Sequence, residues 1–282
     1  MMIDRKWIEQ LISMALQEDL GERGDLTSSA ILDGEEQGKA KIVARQEGIL
    51  AGVEICRLVF NQVDSSVESQ VLKSDGQFLS DGEVVLQLQG SLKSLLMAER
   101  TALNFLAHLS GIATLTHQFV EAIRGFPVKL LDTRKTTPGW RMLEKYAVKV
   151  GGGTNHRMGL YDMILIKENH IRSVGGINTA VQKCLDHLRR EGITARIEIE
   201  VTSLDELKEA LALTVDQIML DNMSVSEIRQ AVAVTSGRVP LEASGTITLE
   251  NIREIAATGV DFISVGKITH SAPAFDFSML VE

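Results

Sequence analysis

Basic side chains that could bind an anionic ligand are concentrated in the middle of the sequence. Between Arg100 and Arg172 there are 11 Lys and Arg residues against 5 Asp and Glu, a net charge of +6, although the whole chain of 282 residues carries −9. Arginine presents a planar fork that binds carboxylate or phosphate at two points, and lysine acts as a point charge. A basic block in an acidic protein favours a small polyanionic ligand and disfavours a nucleic acid.

Acidic side chains that could bind a metal ion follow this block. Glu198 and Glu200 are two residues apart in a predicted strand, so their side chains share one face. Asp221 ends the next predicted strand and would be within reach of Glu200 if the two strands are neighbours. Carboxylates placed in this way can bind Mg²⁺ together with substrate phosphates. The alternative is that Arg196 and nearby lysines only neutralise these acids, and the residues alone leave both interpretations open.

Two short glycine-containing turns could bind phosphate, because such turns expose backbone N–H groups. Each follows a predicted strand, and they consist of Ser244, Gly245 and Thr246 and of Val265, Gly266 and Lys267. The alternative is two ordinary turns between a strand and a helix. The glycine run at 151–153 is not a dinucleotide-binding fingerprint, because no strand precedes it and the spacing differs.

Repeated strand–helix units must position these residues. From Pro127 onward, short apolar runs that end in polar residues alternate with amphipathic helical segments, which predicts parallel strands whose carboxyl ends form one rim. The predicted strands are Val128–Asp132, Met163–Lys167, Arg196–Val201, Gln217–Asp221, Val239–Ala243 and Phe262–Val265. The predicted helices are Asn178–Arg190, Leu204–Leu213, Ser226–Val234 and Leu249–Ala257. An open sheet and a barrel fit this periodicity equally well.

The first 90 residues mix helix and strand patterns. Apolar spacing predicts helices at Arg5–Leu20 and Ser91–Ser110, and strands at Lys39–Ala51 and Glu83–Leu88. The two cysteines form neither a disulfide framework nor a metal motif. The first residues lack the apolar core of a signal peptide, and no run approaches the ~18 apolar residues of a membrane span. We therefore expect a cytoplasmic protein.

Taken together, these residues resemble the quinolinate phosphoribosyltransferase family. The matching segments are Gly24–Thr27, Glu99–Asn104, Asp132–Gly139, Gly152–Arg157, Lys167–His170, Glu198–Val201, Leu220–Asn222 and Thr269–Ser271. The resemblance implies transfer of phosphoribosyl from phosphoribosyl pyrophosphate to quinolinate with decarboxylation, which yields nicotinate mononucleotide for NAD biosynthesis. It also implies an α/β fold with an N-terminal α/β sandwich over residues 1–110, to which a tail at 273–282 returns, and an incomplete parallel α/β barrel over 111–272.

The resemblance further implies roles for individual residues. The implied catalytic residues are Lys135, Lys167, Glu200 and Asp221. The implied substrate-binding residues are Arg100, Thr133, Arg134, Lys135, His156, Arg157, Lys167, Glu200, Asp221, Ser244, Gly245, Thr246, Val265, Gly266, Lys267 and His270. Glu200 and Asp221 would hold Mg²⁺ as the cofactor, and a homodimer would complete each site with Arg100 of the partner subunit. Thr246 and Lys267 depart from the small residues that the resemblance leads us to expect, but both keep their backbone donors.

Three other functions fit part of the pattern. The nearest alternative is a related phosphoribosyltransferase with another acceptor, such as the molybdenum-transport-associated relatives of the family, and comparing quinolinate with nicotinate and other pyridine acids would distinguish the two. A Schiff-base aldolase could use Lys167 as its nucleophile, but it leaves the basic cluster unexplained. A non-catalytic sensor of pyridines or phosphate would not need the Glu200 and Asp221 pair together with that cluster.

Overall fold

The computed structural model describes residues 5–282, so the first four residues of the expected first domain lie outside it. The helices are α1 (Arg5–Leu20), α2 (Leu26–Ile31), α3 (Val53–Val63), α4 (Leu92–Ala122), α5 (Arg141–Val150), α6 (Glu168–Val174), α7 (Ile177–Glu191), α8 (Leu204–Leu211), α9 (Val225–Thr235), α10 (Ile252–Ala256) and α11 (Lys267–His270). The strands are β1 (Gln37–Ala44), β2 (Gly48–Ile49), β3 (Glu68–Val71), β4 (Phe78–Leu79), β5 (Val84–Ser91), β6 (Lys129–Leu131), β7 (Ile164–Ile166), β8 (Ile197–Val201), β9 (Gln217–Asp221), β10 (Leu241–Ser244), β11 (Phe262–Ser264) and β12 (Phe277–Val281).

The chain forms two compact units, and neither is one continuous segment. The first unit contains the residues up to His117 together with Met142–Gly152 and Ser271–Glu282. The second unit contains Gln118–Arg141 and Gly153–His270. The chain therefore passes between the units four times.

An antiparallel sheet forms the centre of the first unit. Its four strands have the order β12-β1-β5-β3, and β1 pairs with both β12 and β5. Ile42 lies opposite Met279 on one side and Leu86 on the other, and all three side chains are buried. Helix α1 has the predicted bounds, but the strand predicted at Lys39–Ala51 was too long, because β1 ends at Ala44 and β2 pairs separately with β4.

Helix α4 is longer than the sequence predicted, because it continues through Gly111 to Ala122. A glycine after a helical pattern usually indicates a helix end, since glycine costs about 1 kcal/mol in a helix interior. Here a Cβ at position 111 would lie only 2.0 Å from the carbonyl oxygen of Pro273. Glycine is therefore required by the close approach of another segment of the same unit, and it does not end the helix.

A parallel sheet of six strands forms the centre of the second unit. The order is β6-β11-β10-β9-β8-β7, and every neighbouring pair is parallel. The six strands predicted after Pro127 are confirmed, with ends that differ by one or two residues. The edge strands β6 and β7 do not pair with each other in the described chain, which is the arrangement expected of an incomplete barrel.

The two faces of this sheet differ in chemistry. One face of β8 carries Ile197, Ile199 and Val201, all buried. The opposite face, called the polar face below, carries Glu198 and Glu200, Gln217, Glu242 and Ser264. Along β8 apolar and polar side chains alternate, because successive residues of a strand point to opposite faces. The polar face also carries apolar residues, among them Met219 and Phe262. Within residues 5–282, no helix is both long enough and apolar enough to cross a membrane.

Candidate active site

Two arginines converge beside the end of β6. Arg134 follows β6, and its Nε is buried without a hydrogen-bond partner. Arg157 donates from Nη1 to the carbonyl oxygen of Met163 at 2.9 Å. Burial lowers the pKa of Arg157, and so does the positive charge of Arg134. Neighbouring guanidinium groups that are partly desolvated form a site that favours an anion with two or more charges.

A lysine–glutamate pair lies at the ends of β7 and β8. Nζ of Lys167 donates to Oε2 of Glu200 at 2.5 Å. The lysine side chain is 46% exposed and the glutamate 10% exposed, so the pair lies at the sheet rim with the cation toward solvent. The backbone N–H of Glu168 also points to Glu200, at 3.4 Å. The pair places one positive and one negative group where a substrate could contact either.

Asp221 lies on the next strand at the same rim. It is opposite Ser244 in the β9–β10 register, and it follows Met219, the residue opposite Glu200, by two positions on the same face. Its Oδ2 accepts a hydrogen bond from Nδ2 of Asn222 at 2.8 Å. Two carboxylates at the ends of adjacent strands can supply oxygen ligands to Mg²⁺, whose remaining ligands are then phosphate oxygens and water. The residues present therefore fit the ion.

The turn after β10 has a backbone that demands its glycine. Gly245 has a φ of +96°, and a Cβ there would lie 2.2 Å from the side-chain oxygen of Asn222. Thr246 also has a positive φ, of +47°, and its carbonyl oxygen accepts from Nδ2 of Asn251 at 3.1 Å. The threonine therefore adopts the left-handed conformation that favours glycine.

The turn after β11 packs against the turn after β6. A Cβ on Gly266 would lie 3.0 Å from Cδ of Lys135. The Thr269 hydroxyl donates to the carbonyl oxygen of Lys135 at 2.8 Å. Lys267 and His270 are exposed at the two ends of α11. These contacts bring the predicted phosphate turn and the basic segment after β6 to one place.

His156 is held between two buried glutamates. Its Nε2 lies 3.0 Å from Oε2 of Glu198 and 3.3 Å from Oε2 of Glu242. Burial lowers the pKa of the ring, but the two adjacent carboxyl groups outweigh it and raise the pKa to about 9. Its Nδ1 accepts from the backbone N–H of Arg157 at 2.8 Å, which opposes a second proton because a doubly protonated ring could not accept it. Burial and the charge of Glu198 raise the pKa of Glu242.

Several residues of this region were missed as site residues. Asp132 is fully buried, and its carboxylate accepts from the backbone N–H of His156 at 2.8 Å and from Nδ2 of Asn155 at 2.6 Å. Gln217 bridges Glu198 and Glu242. The signal that could have found them is the recurrence of polar residues on one face of three consecutive buried strands.

The structure places all of the predicted site residues except Arg100 in the second unit. Most lie at strand ends or directly after them, whereas His156 and Arg157 lie in the loop between α5 and β7. Arg100 lies exposed on α4 in the first unit. The binding and catalytic roles of the set stay predictions. Among residues 5–282, the one group of three side chains close enough to hold a metal ion is His156, Glu198 and Glu242, which differs from the predicted magnesium pair.

Comparison with known proteins identifies relatives over nearly the whole chain. Residues 25–110 match the N-terminal domain model of quinolinate phosphoribosyl transferase, and residues 112–280 match its C-terminal domain model. A Bacillus subtilis protein named as a probable nicotinate-nucleotide pyrophosphorylase (carboxylating) is 44% identical over 96% of this chain and 92% of its own. The solved structure of the nicotinate-nucleotide pyrophosphorylase from Francisella tularensis is 44% identical, covers 100% of this chain and 98% of its own, and has a TM-score of 0.94.

Proposed function

The chain belongs to the quinolinate phosphoribosyltransferase family, and we propose from this premise that it makes nicotinate mononucleotide from quinolinate and phosphoribosyl pyrophosphate. The products would be nicotinate mononucleotide, pyrophosphate and CO₂, a step of de novo NAD biosynthesis. The observation that carries this proposal is the convergence of Arg134 and Arg157 beside the Lys167–Glu200 pair. A dicarboxylate supplies the two negative charges that this arrangement favours.

The proposed reaction has two steps. The pyridine nitrogen of quinolinate forms a bond to C1 of the ribose, and the bond from C1 to the pyrophosphate oxygen breaks. The carboxylate beside the now cationic nitrogen then leaves as CO₂, and the ring carbon takes a proton. Arg134, Lys135 and Arg157 would orient the acceptor and stabilise the negative charges during both steps.

We propose that Glu200 and Asp221 hold Mg²⁺ as the cofactor, bound together with phosphoribosyl pyrophosphate. The ion would supply positive charge to the departing pyrophosphate. The turns at 244–246 and 265–267 would bind the 5′-phosphate through backbone N–H groups. Lys167, which is paired with Glu200 at 2.5 Å, would bind substrate and not form a Schiff base, since a nucleophilic lysine must be neutral.

The first test is an assay of the purified protein with quinolinate, phosphoribosyl pyrophosphate and Mg²⁺ that follows nicotinate mononucleotide and CO₂. Nicotinate serves as a parallel acceptor, and EDTA removes the ion. We expect product with quinolinate as the acceptor but not with nicotinate, and we expect EDTA to abolish product formation. A folded protein that makes no product from quinolinate would overturn the proposal and favour the related transferase with a different acceptor.

Arg134→Ala tests the anion site. We expect this variant to lose at least about a hundredfold in kcat/KM while keeping its fold, since charge-assisted hydrogen bonds to the substrate contribute about 3 kcal/mol or more together. Arg253→Ala is the control, because Arg253 lies in the same unit, stacks on Phe126 and donates to the carbonyl oxygen of Ala122, away from the site. Equal activities of the two variants would contradict the role of Arg134.

We also propose a cytoplasmic homodimer in which Arg100 of the partner subunit enters each site. Mixing Arg100→Ala with Arg134→Ala tests it, because a mixed dimer then has one intact site. If subunits exchange freely, about a quarter of the wild-type activity should return, since half of the protomers lie in mixed dimers and half of their sites are complete. No recovery in mixtures shown to exchange subunits would place Arg100 outside the partner's site.

A further inference from the structure

Three buried polar side chains occupy the polar face beneath His156. Glu198 and Glu242 are 0% exposed and Gln217 is 4% exposed. The interior of a parallel barrel is usually filled by Val, Ile and Leu. Replacing a buried ion pair with apolar residues of similar volume is often neutral or stabilising. Stability of the fold therefore gives no reason for two carboxylates and an amide at these positions.

The amide of Gln217 has one fixed orientation. Its Oε1 accepts from Nη2 of Arg196 at 2.9 Å. Its Nε2 donates to Oε1 of Glu198 at 2.8 Å and to Oε2 of Glu242 at 2.7 Å. Turning the amide around would point its oxygen at both carboxylates and its N–H groups at the guanidinium, so the arginine fixes the direction of the donors.

The two glutamates use their oxygens differently. In Glu198, Oε1 accepts from Gln217 and Oε2 faces Nε2 of His156 at 3.0 Å, so both oxygens face N–H donors. In Glu242, Oε2 faces both of those donors. Its Oε1 is buried without a hydrogen-bond partner, although the Ser264 hydroxyl acts on the same carboxyl group. Only Glu198 therefore needs two acceptor oxygens.

The ring that Glu198 holds is fixed to the anion site on its other side. Nδ1 of His156 accepts from the backbone N–H of Arg157 at 2.8 Å, and the histidine backbone N–H donates to Asp132. The side chain of His156 is 8% exposed. The backbone of Arg157 is thus hydrogen-bonded to Nδ1 of the His156 ring, and Nε2 of the same ring faces the carboxylate of Glu198. The direction of the Arg157 side chain therefore depends on how Glu198 orients the ring.

We propose that Glu198 is a positioning residue of the anion site, because it orients the ring of His156 and through that ring the guanidinium of Arg157. The inference rests on the proposed function, in which Arg157 binds quinolinate. Glu198 touches neither substrate in this role. Its effect is to keep the guanidinium group of Arg157 in the direction that receives a carboxylate.

Two isosteric variants separate this role from a general effect of buried charge. Glu198→Gln and Glu242→Gln each replace one carboxyl group of the same cluster with an amide of almost the same volume. At position 198 the new amide nitrogen must face an N–H group on one side, either that of Gln217 or that of His156, so one of these two contacts becomes repulsive. At position 242 the amide nitrogen can take the place of the unpartnered Oε1, while the remaining oxygen keeps its contacts with both donors.

The readout is the KM for each substrate, with the wild-type protein assayed in parallel. We expect Glu198→Gln to raise the KM for quinolinate by about tenfold, with less than a threefold change for phosphoribosyl pyrophosphate, while Glu242→Gln changes neither KM by more than about threefold. Equal effects of the two variants, or a loss of thermal stability with unchanged KM values, would overturn the inference. An inactive wild-type protein would instead overturn the proposed function.

A measurement on the wild-type protein covers the case in which Glu198→Gln does not fold. In a sample with ¹⁵N-labelled histidine, the resonance of His156 is assigned by its absence from the spectrum of His156→Asn. We expect Nε2 of this ring to carry a proton that exchanges slowly with solvent, unlike that of the exposed His187. An unprotonated Nε2, or exchange as fast as in His187, would show that Glu198 does not hold the ring.

Discussion

Replacing Gly245 with alanine should weaken both the turn after β10 and the binding of phosphoribosyl pyrophosphate. Gly245 has a φ of +96°, and the new Cβ would lie 2.2 Å from Oδ1 of Asn222. The positive φ costs an L-residue about 1–2 kcal/mol. Moving the Asn222 side chain breaks its hydrogen bond to Asp221, about another 1 kcal/mol. We expect the free energy of unfolding to fall by about 2–3 kcal/mol in total.

Gly175→Ala is the matched control for this substitution. Gly175 lies in the same unit, has a φ of +85° and has no atom within 4 Å of an added Cβ. This variant carries the backbone strain without the displacement, so it should lose about 1–2 kcal/mol. Its KM for phosphoribosyl pyrophosphate should not change. For Gly245→Ala the KM should rise about tenfold, because one charge-assisted hydrogen bond from the turn to phosphate is weakened.

Urea unfolding gives the free energies, and initial rates at varied phosphoribosyl pyrophosphate give the two KM values. We expect Gly245→Ala to lose more stability than Gly175→Ala, and we expect the KM to rise only in Gly245→Ala. Equal losses with unchanged KM values would show that the contact with Asn222 has no energetic weight and that the turn does not bind the phosphate. A KM that rises equally in both variants would trace the effect to the fold of the whole unit.

Three further predictions concern residues outside the proposed site. Tyr146→Phe should lower the free energy of unfolding by about 1.5–3 kcal/mol, because the hydroxyl donates to Asp75 at 2.5 Å. Burial raises the pKa of Tyr146 above its usual 10, so the tyrosine ionises first in the unfolded chain. The difference between wild type and variant in urea unfolding should therefore shrink above pH 10. Cys184 should react with a thiol reagent well before Cys56, whose burial raises its pKa, and equal rates would contradict this. Ser203→Ala should cost about 1 kcal/mol in urea unfolding, because its hydroxyl caps α8 by accepting from the backbone N–H of Glu206.

The strands of the second unit could be predicted because they alternate with helices along the chain and are short apolar runs that end in polar residues. The interruption of the apolar run by Glu198 and Glu200 also predicted a shared face, which the structure shows. The sequence did not reveal the partners on that face. Gln217 joins Glu198 through a register that only strand pairing defines, and His156 reaches both from a loop.

The first unit was harder to predict for a related reason. The continuation of α4 through Gly111 depends on Pro273, which lies far along the chain. The extent of β1 depends on its pairing with β12, and the five residues of β12 contain no pattern that predicts which strand they pair with. Local patterns predict the elements, and contacts between distant segments determine where several of them end.

The pairing of β1 with β12 has a consequence for how the protein is made. Residues 37–44 leave the ribosome long before residues 277–281, so at typical synthesis rates β1 waits roughly 10–50 s for its second neighbour. An unpaired strand edge is a template for aggregation, and lysines on the edge discourage it. Lys39 and Lys41 stand on this strand, and Lys41 later binds Glu282 at 2.7 Å. The positive charge of Lys41 therefore discourages aggregation of the nascent chain, and in the folded protein it forms an ion pair with Glu282 next to the β1–β12 pairing.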